Sequence, residues 1–571
     1  MRFKRLSIIC LFLIVVCSGF AQEYKIHSHN DYKQNIPFWK AFGAEVQSIE
    51  VDVFYEDGEL FVAHEVKEIN ENKTLQRLYL EPLKEALSLQ MMTNRSLQLV
   101  IDVKTDAVNS LNAIVSILKQ YPTIINNKDV RIVISGNRPD LKEYVNYPEY
   151  ILFDYHSVEP ITDLKTLDKI AMVSVSFKNF SEWNGKGRLT AEDYARVTDV
   201  IHKAHQLNKP FRFWATPDSK SAWKAFVNMG VDFINTDQPN ECVAYVSTIS
   251  QRVVQNTVFS EVYRPTFASD KAKRNPKNII LMIGDGNGLT QISSTVLANN
   301  GELSLTQLKS IGFIKTQSAD DFTTDSAGAG TAIATGEKTN NRAIGTNAMG
   351  DNIPNIVEIL SKNGFNTGVI TTDEITGATP SSFFAHRTDR GMVQEIASDL
   401  NFSELELFIS QHTSAVHGIE EVGYQMKTEI KDIGISMEEK VGAWFNNTKD
   451  ETLESYVERL SVATKNGLSF LANKKESFFL MTEGAKIDSY GHENKIEGVI
   501  NESISFDKAI SEALKFADTN KNTLVIITAD HETGGLTIPQ GNVDKHEIEA
   551  DFTTHDHTGT MVPIFAYGPM S

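Results

Sequence analysis

An apolar run that stops on glycine, an acid or a histidine recurs along the second half of this 571-residue chain, and few folds accommodate that pattern. Asn278-Ile279-Ile280-Leu281-Met282-Ile283 leads into Gly284-Asp285-Gly286-Asn287-Gly288, and Phe478-Phe479-Leu480-Met481 leads to Glu483-Gly484. Leu524-Val525-Ile526-Ile527 leads to Asp530-His531, and Val562-Pro563-Ile564-Phe565 is preceded by His557-Thr558-Gly559. Short apolar runs bounded by turn signals read as buried strands. Open α/β sheets bind ligands outside the carboxyl ends of such strands. The pattern therefore predicts a central, mostly parallel sheet with acids and histidines gathered along one edge. Asp488 and His492 stand four apart, so in a helical turn both face one side and can share one metal ion.

Within this half, Thr323-Thr324-Asp325-Ser326-Ala327-Gly328-Ala329-Gly330-Thr331-Ala332 sets a hydroxyl behind a carboxylate, at the head of a run of very small residues. A serine at a helix start lies among unpaired N–H groups at the positive end of the helix dipole, which favours an anion such as phosphate. The small residues let that anion approach the backbone. Taken alone, the stretch is more simply an ordinary serine N-cap; its company has to decide between the two.

Arg2, Lys4 and Arg5 precede an apolar run from Ile8 to Val16 and then Ser18-Gly19-Phe20-Ala21. This is the form of a secretory signal peptide over residues 1–21, cleaved after Ala21. It predicts an exported protein, periplasmic or extracellular, with no transmembrane span after signal removal; Cys17 leaves lipid attachment open. Of Cys10, Cys17 and Cys242 only the last survives cleavage, so no internal disulfide can form and stability must come from core size or metals. A formal net charge of −19 argues against a nucleic-acid partner and suits a chain that holds divalent cations. The length allows two large α/β domains, expected at 22–250 and 278–571. Residues 251–277, polar and basic through Arg264-Pro265 and Lys273-Arg274-Asn275-Pro276, are expected to form an exposed linker.

In the first domain, His27-Ser28-His29-Asn30-Asp31-Tyr32 is followed by Ser48-Ile49-Glu50-Val51-Asp52-Val53, where alternation puts Glu50 and Asp52 on one face of a strand. Two adjacent carboxylates invite a hard cation. Asp57-Gly58 makes a hairpin-like turn into a strand ending at His64, and Leu99-Val100-Ile101-Asp102-Val103-Lys104 adds a third acid and a cation. Apolar runs at 130–134, 151–153, 172–177, 211–214 and 231–237 then alternate with helical patterns, the order of a parallel (β/α) barrel. In such barrels the chemistry collects at the carboxyl ends of strands, where Glu50, Asp52, His64 and Asp102 fall.

The segments HSHNDY, IEVDVFYEDGELFVAHE, IDVK and GVDFINTDQP resemble the glycerophosphodiester phosphodiesterase and phospholipase C-like barrel superfamily over nearly the whole domain. The resemblance implies a TIM-type barrel in which Glu50, Asp52 and Asp102 hold one divalent cation, Ca²⁺ or Mg²⁺. It makes His29 and His64 the acid and base on a phosphodiester, with Lys104 binding phosphate. The chain departs from the family at His29-Asn30-Asp31, where His-Arg-Gly is usual, and at Asp102, where a Glu is more typical.

The second domain carries a separate resemblance. MIGDGNG, TTDSAGAGTAIATGEKT, ATPSSFFAHRTDR, TEGAKIDSYGHE, ADHETGG and HTGTMVPIFAYGP are similar, in order, to an alkaline phosphatase. This implies two Zn²⁺, one held by Asp488, His492 and His557 and the other by Asp285, Asp530 and His531, and one Mg²⁺ on Asp285, Thr379 and Glu483. Ser326 is then the nucleophile, passing through a phosphoserine, and Arg390 the phosphate clamp. Gly377 stands where the family often has Asp or His near the magnesium, and Ser489 where relatives often carry Lys or His. Relatives usually run on past Gly568-Pro569-Met570-Ser571, so the domain is expected to be shorter at its C-terminus. The resemblance leaves a homodimer open.

The leading expectation is an exported phosphomonoesterase whose monoester substrate is supplied by a fused phosphodiesterase-like barrel. The alternative is a phosphatase carrying a non-catalytic barrel that binds lipid head groups or glycans. A sulfatase or nucleotide pyrophosphatase is disfavoured, because Asp325-Ser326-Ala327 resembles neither nucleophile motif.

Overall fold

The computed structural model describes residues 24–446 and 451–571; the expected signal peptide lies outside the described residues. The chain divides into two compact units between Ile249 and Ser250.

The first unit carries strands β1 (Lys25–Ser28), β2 (Ser48–Glu56), β3 (Glu59–Val62), β4 (Leu97–Val103), β5 (Val130–Gly136), β6 (Ile151–Tyr155), β7 (Ile170–Ser176), β8 (Phe211–Trp214) and β9 (Phe233–Thr236). Parallel pairing runs β1-β9-β8-β7-β6-β5-β4-β2 and returns from β2 to β1, so eight strands close into a barrel. β3 hangs from β2 as an antiparallel hairpin through Asp57 and Gly58, both at positive φ, as the Asp-Gly turn requires. Alternation sorts the side chains. Ile49, Val51, Val53, Leu99, Ile101, Ile132 and Ile134 pack outward against helices such as Ala107–Leu118. Val100, Val133, Met172 and Phe233 form a separate inner cluster. Above that apolar plug the inward positions are polar and buried: His27, Glu50, Asp52, Ser135, Asp154, Ser174 and Arg212.

The second unit holds β10 (Val253–Gln255), β11 (Asn278–Gly284), β12 (Ser310–Ile314), β13 (Asn366–Glu374), β14 (Leu407–Gln411), β15 (Tyr424–Lys427), β16 (Lys440–Trp444), β17 (Phe478–Gly484), β18 (Thr523–Thr528), β19 (Glu532–Thr533), β20 (Leu536–Asn542), β21 (Glu547–Phe552), β22 (His557–Thr558) and β23 (Val562–Tyr567). Its nine-stranded sheet runs β12-β23-β18-β11-β17-β13-β14-β16-β15, with β23 antiparallel to both neighbours and every other pairing parallel. A sheet buried on both faces should read as continuous apolar runs, and β11 does. Its Ile280 and Met282 enter one core with the helices Leu453–Asn473 and Ile496–Asn520, while Leu281 and Ile283 enter the core on the other face.

The expected linker is exposed at its basic residues Arg264, Lys271, Lys273 and Arg274, but its first part is built into the second unit. Val253–Gln255 is a strand paired with β21, and Asn256 and Ser260 are buried. The Ser260 hydroxyl donates to Asp507 at 2.7 Å, and Tyr263 donates to Asp518 at 2.7 Å. Polar composition did not reveal that Asn256, Ser260 and Tyr263 bond into the second unit while the basic residues after them face water.

Candidate active sites on two sheet edges

In the second unit the residues flagged by the sequence converge at the carboxyl ends of β11, β17 and β18. Gly286, at φ 72°, brings Asp285 into this edge; a Cβ there would meet the Asp488 backbone at 2.8 Å, so the close approach needs glycine. The helix Lys486–His492 stacks Asp488 below His492, 3.3 Å apart. His557 completes that trio, 3.1 Å from His492 and 3.4 Å from Asp488. Asp285, Asp530 and His531 form a second group, with His531 Nε2 3.1 Å from Asp530 and 3.6 Å from Asp285. His531 and His557 stack with ring centroids 3.5 Å apart, so the two groups adjoin.

Ser326 opens the helix Ser326–Thr335, but it is not its cap. Asp325 is, accepting from the Gly328 N–H at 2.9 Å, which leaves the Ser326 hydroxyl free to lie 3.3 Å from His531 Nε2. That removes the simpler cap reading of the serine. The other Asp325 oxygen accepts from Arg390 at 3.2 Å and so ties the guanidinium to the mouth of this helix.

Burial and mutual repulsion raise Asp285 well above the usual carboxylate range, because Asp530, Asp488 and Glu483 face it. Burial pushes Glu483 to about 8, against the hydrogen bond that Thr371 donates at 2.5 Å. His557 rises to about 9 despite its burial, chiefly through Asp488. Anions crowded out of water in this way are stable only beside cations. The buried Asp285 Oδ1 and Thr379 hydroxyl, without hydrogen-bond partners of their own, mark where ligand atoms are free. The mixed His/Asp groups suit zinc, and the carboxylate–hydroxyl set Asp285, Thr379 and Glu483 suits magnesium.

Sequence reasoning missed several residues here. Asp556 joins His492 and His557 in a further cluster of ligand atoms within 4.8 Å of one another. At Gly377, the space an expected side chain would take is held by Asp373, whose Oδ2 would sit 2.6 Å from a Cβ there. Asp373 pairs with Lys486 at 2.7 Å.

In the barrel, Glu50, Asp52 and Asp102 bring one oxygen each within 4.8 Å of one another. Glu50 Oε2 accepts from Arg212 at 2.6 Å and lies 2.9 Å from His27. Asp52 Oδ2 accepts from Tyr32 at 2.8 Å and pairs with His64 and Lys104, each at 3.1 Å, while Asp52 Oδ1 is buried without a hydrogen-bond partner. That orphaned oxygen between two neighbouring acids fits a hard divalent cation. Burial and the Glu50 charge lift Asp102 to about 6. His29 Nδ1 is held by Asp237 at 2.7 Å, which leaves Nε2 facing Glu50 at 3.7 Å. Lys104 bridges Asp52 and Asp102, at 3.1 and 3.0 Å. Arg212 and Asp154 escaped the sequence reading, and His27 and Tyr32 stood in its motif without a role; Arg212 between Phe211 and Phe213, a lone charge inside an apolar strand, was the available clue.

A family model described as alkaline phosphatase matches residues 276–420 and 445–551. Alkaline phosphatase 4 of Bacillus subtilis is 31% identical over 322 residues, a match spanning 52% of this chain and 70% of that protein. The chain belongs to the alkaline phosphatase family. Alkaline phosphatase 3 of the same organism is 32% identical, spanning 48% of this chain and 65% of its own length. The solved alkaline phosphatase of the Antarctic bacterium TAB5 aligns with a TM-score of 0.49 at 39% identity, covering 52% of this chain and 92% of that one.

The alkaline phosphatase unit is fused to a phosphodiesterase-like one. An AIM6-like phosphodiesterase domain model matches residues 21–98, and a glycerophosphoryl diester phosphodiesterase family model matches 210–240. A glycerophosphodiester phosphodiesterase from Parabacteroides distasonis aligns at 18% identity with a TM-score of 0.29, covering 40% of this chain and 98% of that one.

Proposed function

We propose that the second unit is an exported, metal-dependent phosphomonoesterase that uses Ser326 as its nucleophile, and that the barrel hydrolyses phosphodiesters to supply it. The observation that carries the reading is the position of the Ser326 hydroxyl, on a helix start between His531 and the Arg390–Asp325 pair. Asp488, His492 and His557 would hold one zinc, Asp285, Asp530 and His531 a second, and Asp285, Thr379 and Glu483 a magnesium. When bound, these ions lower the pKa of a hydroxyl or water and offset charge on the transferring phosphoryl group.

The chain's own residues do the rest. Ser326 Oγ attacks phosphorus as the ester oxygen leaves on the opposite side, forming phosphoserine; water then attacks and releases phosphate. The N–H groups at the head of the Ser326 helix face the phosphoryl oxygens and add the dipole's positive end. Arg390 can grip two of those oxygens as a charged fork, with Asp325 fixing its approach. Ala327 and Gly328 leave room at the backbone.

In the barrel, Glu50, Asp52 and Asp102 would hold one Ca²⁺ or Mg²⁺. His64 is anchored through Nδ1 by Asp52, and His29 through Nδ1 by Asp237, so each presents Nε2 for proton transfer to or from a diester. The test is phosphate release from glycerophosphocholine by the full chain. Ser326→Ala should stop phosphate release while glycerol phosphate accumulates, and His64→Ala should stop diester cleavage itself. Unchanged cleavage after both His29→Ala and His64→Ala would remove the barrel's catalytic role.

A further inference from the structure

Beside the Ser326 helix, one arginine meets every anchor of Arg390. Residues 342–344 run antiparallel to 387–390: Ile344 and Arg387 exchange both backbone hydrogen bonds at 2.8 Å, and the Arg390 N–H donates to the Arg342 carbonyl at 2.7 Å. The Arg342 N–H donates to Asp325 Oδ1 at 2.9 Å, the oxygen that also caps the helix at Gly328, while Asp325 Oδ2 accepts from the Arg390 guanidinium. The Arg342 side chain closes on Asp389 as a two-bond fork, Nε to Oδ2 and Nη2 to Oδ1, each at 2.8 Å. Asp389 Oδ1 also accepts from the Gly391 N–H at 2.7 Å, so the fork takes hold of both sequence neighbours of Arg390.

Two features set this fork apart from an ordinary surface ion pair. Arg342 has φ 71°, in the left-handed region that glycine enters freely and residues with a Cβ seldom do. A glycine would make the same backbone bonds to Asp325 and Arg390 without that strain, so the fork is what the arginine adds. The fork itself holds the Asp389 carboxyl down to about 2, and the pair stays charged through neutral and alkaline pH. Both partners are half-exposed, and exposed pairs contribute little to stability. A planar two-bond fork fixes direction, however, and direction is what a side chain gripping phosphoryl oxygens requires.

We propose that Arg342 and Asp389 are positioning residues of the phosphatase site: their fork fixes the backbone from which Arg390 reaches the phosphoryl group, as Asp325 fixes its guanidinium. The inference rests on the reading of Arg390 as the phosphate clamp.

The test uses the full chain loaded with zinc and magnesium, with p-nitrophenyl phosphate as substrate and vanadate as inhibitor. Arg342→Gly removes the fork and keeps the backbone, so kcat/KM should fall about tenfold, the scale of a small misplacement at a reacting group. The inhibition constant of vanadate should rise in parallel, while the melting temperature moves by no more than about 4 °C, as loss of an exposed pair allows. Asp389→Ala should reproduce the kinetic loss, and Arg342→Lys, which keeps one contact of the pair, should retain part of the rate. In an Arg390→Ala background Arg342→Gly should add no further loss, because residues acting through one group are not additive. Unchanged kcat/KM and vanadate inhibition in Arg342→Gly, or the same tenfold loss repeated in the Arg390→Ala background, would overturn the positioning role and leave the clamp reading standing. Unchanged kinetics in Arg390→Ala itself would instead remove the clamp reading, and the positioning role with it.

Discussion

Asp325 shows how one side chain can set the geometry of a candidate site. It caps the helix through Gly328, frees Ser326 from that duty, and pairs with Arg390. Ser326→Ala should lower kcat for p-nitrophenyl phosphate on the order of 10⁴-fold with little loss of stability, as removing a nucleophile does. Arg390→Ala should cost about 10²-fold, the scale of losing one preorganised donor on the transferring group. Asp325→Asn keeps the cap and weakens the ion pair, so its defect should be smaller than that of Arg390→Ala and should show mainly in KM. Steady-state kinetics on the three variants check this order; a larger defect in Asp325→Asn than in Arg390→Ala would contradict the supporting role assigned to it.

At the scale of elements, the edge that gathers the acids depends on glycine-terminated strands against one long helix. β11 ends at Gly284 and β17 at Gly484, and a Cβ at either would lie 3.0 to 3.1 Å from the Phe506 ring of the helix Ile496–Asn520. Phe506 is buried, so Phe506→Ala should cost about 3–5 kcal/mol in denaturant unfolding of the second unit. A cost below about 1 kcal/mol would mean that the helix does not fix the strand ends. This edge was legible in the sequence because each strand announces itself as an unbroken apolar run followed by its functional residue. The barrel was legible in outline for the same reason, and Glu50 and Asp52 by period two. What stayed hidden are contacts between distant strands. His27 meets Arg212 across the lumen, and Asp154 meets Ser174 and Ser135 on neighbouring strands; no local pattern encodes such meetings. The inward part of the linker was hidden for the opposite reason, because Ser260 hydrogen-bonds the buried Asp507 and Asn256 bonds the backbone beneath it.

At the scale of the whole molecule, Cys242, buried in the barrel unit, is the one cysteine among the described residues, so no disulfide braces them. No helix among the described residues is long and apolar enough to cross a membrane. The proposed cations would then be the main adjustable source of stability for the phosphatase unit. Metal present at about a hundred to a thousand times its Kd adds about 3–4 kcal/mol to the folded state, so EDTA should lower the melting temperature of that unit by several degrees and zinc with magnesium should restore it. An unchanged melting curve would argue against filled sites at Asp285, Asp488 and their neighbours. The most direct measurement is to trap the enzyme during turnover. The full chain, loaded with zinc and magnesium, is quenched in acid while hydrolysing p-nitrophenyl phosphate, and its peptides are analysed by mass spectrometry. The account predicts one phosphoryl group on the peptide carrying Ser326, at that residue, and none in Ser326→Ala. Hydrolysis that persists in Ser326→Ala at the unsubstituted rate, with no phosphoserine in either protein, would contradict it.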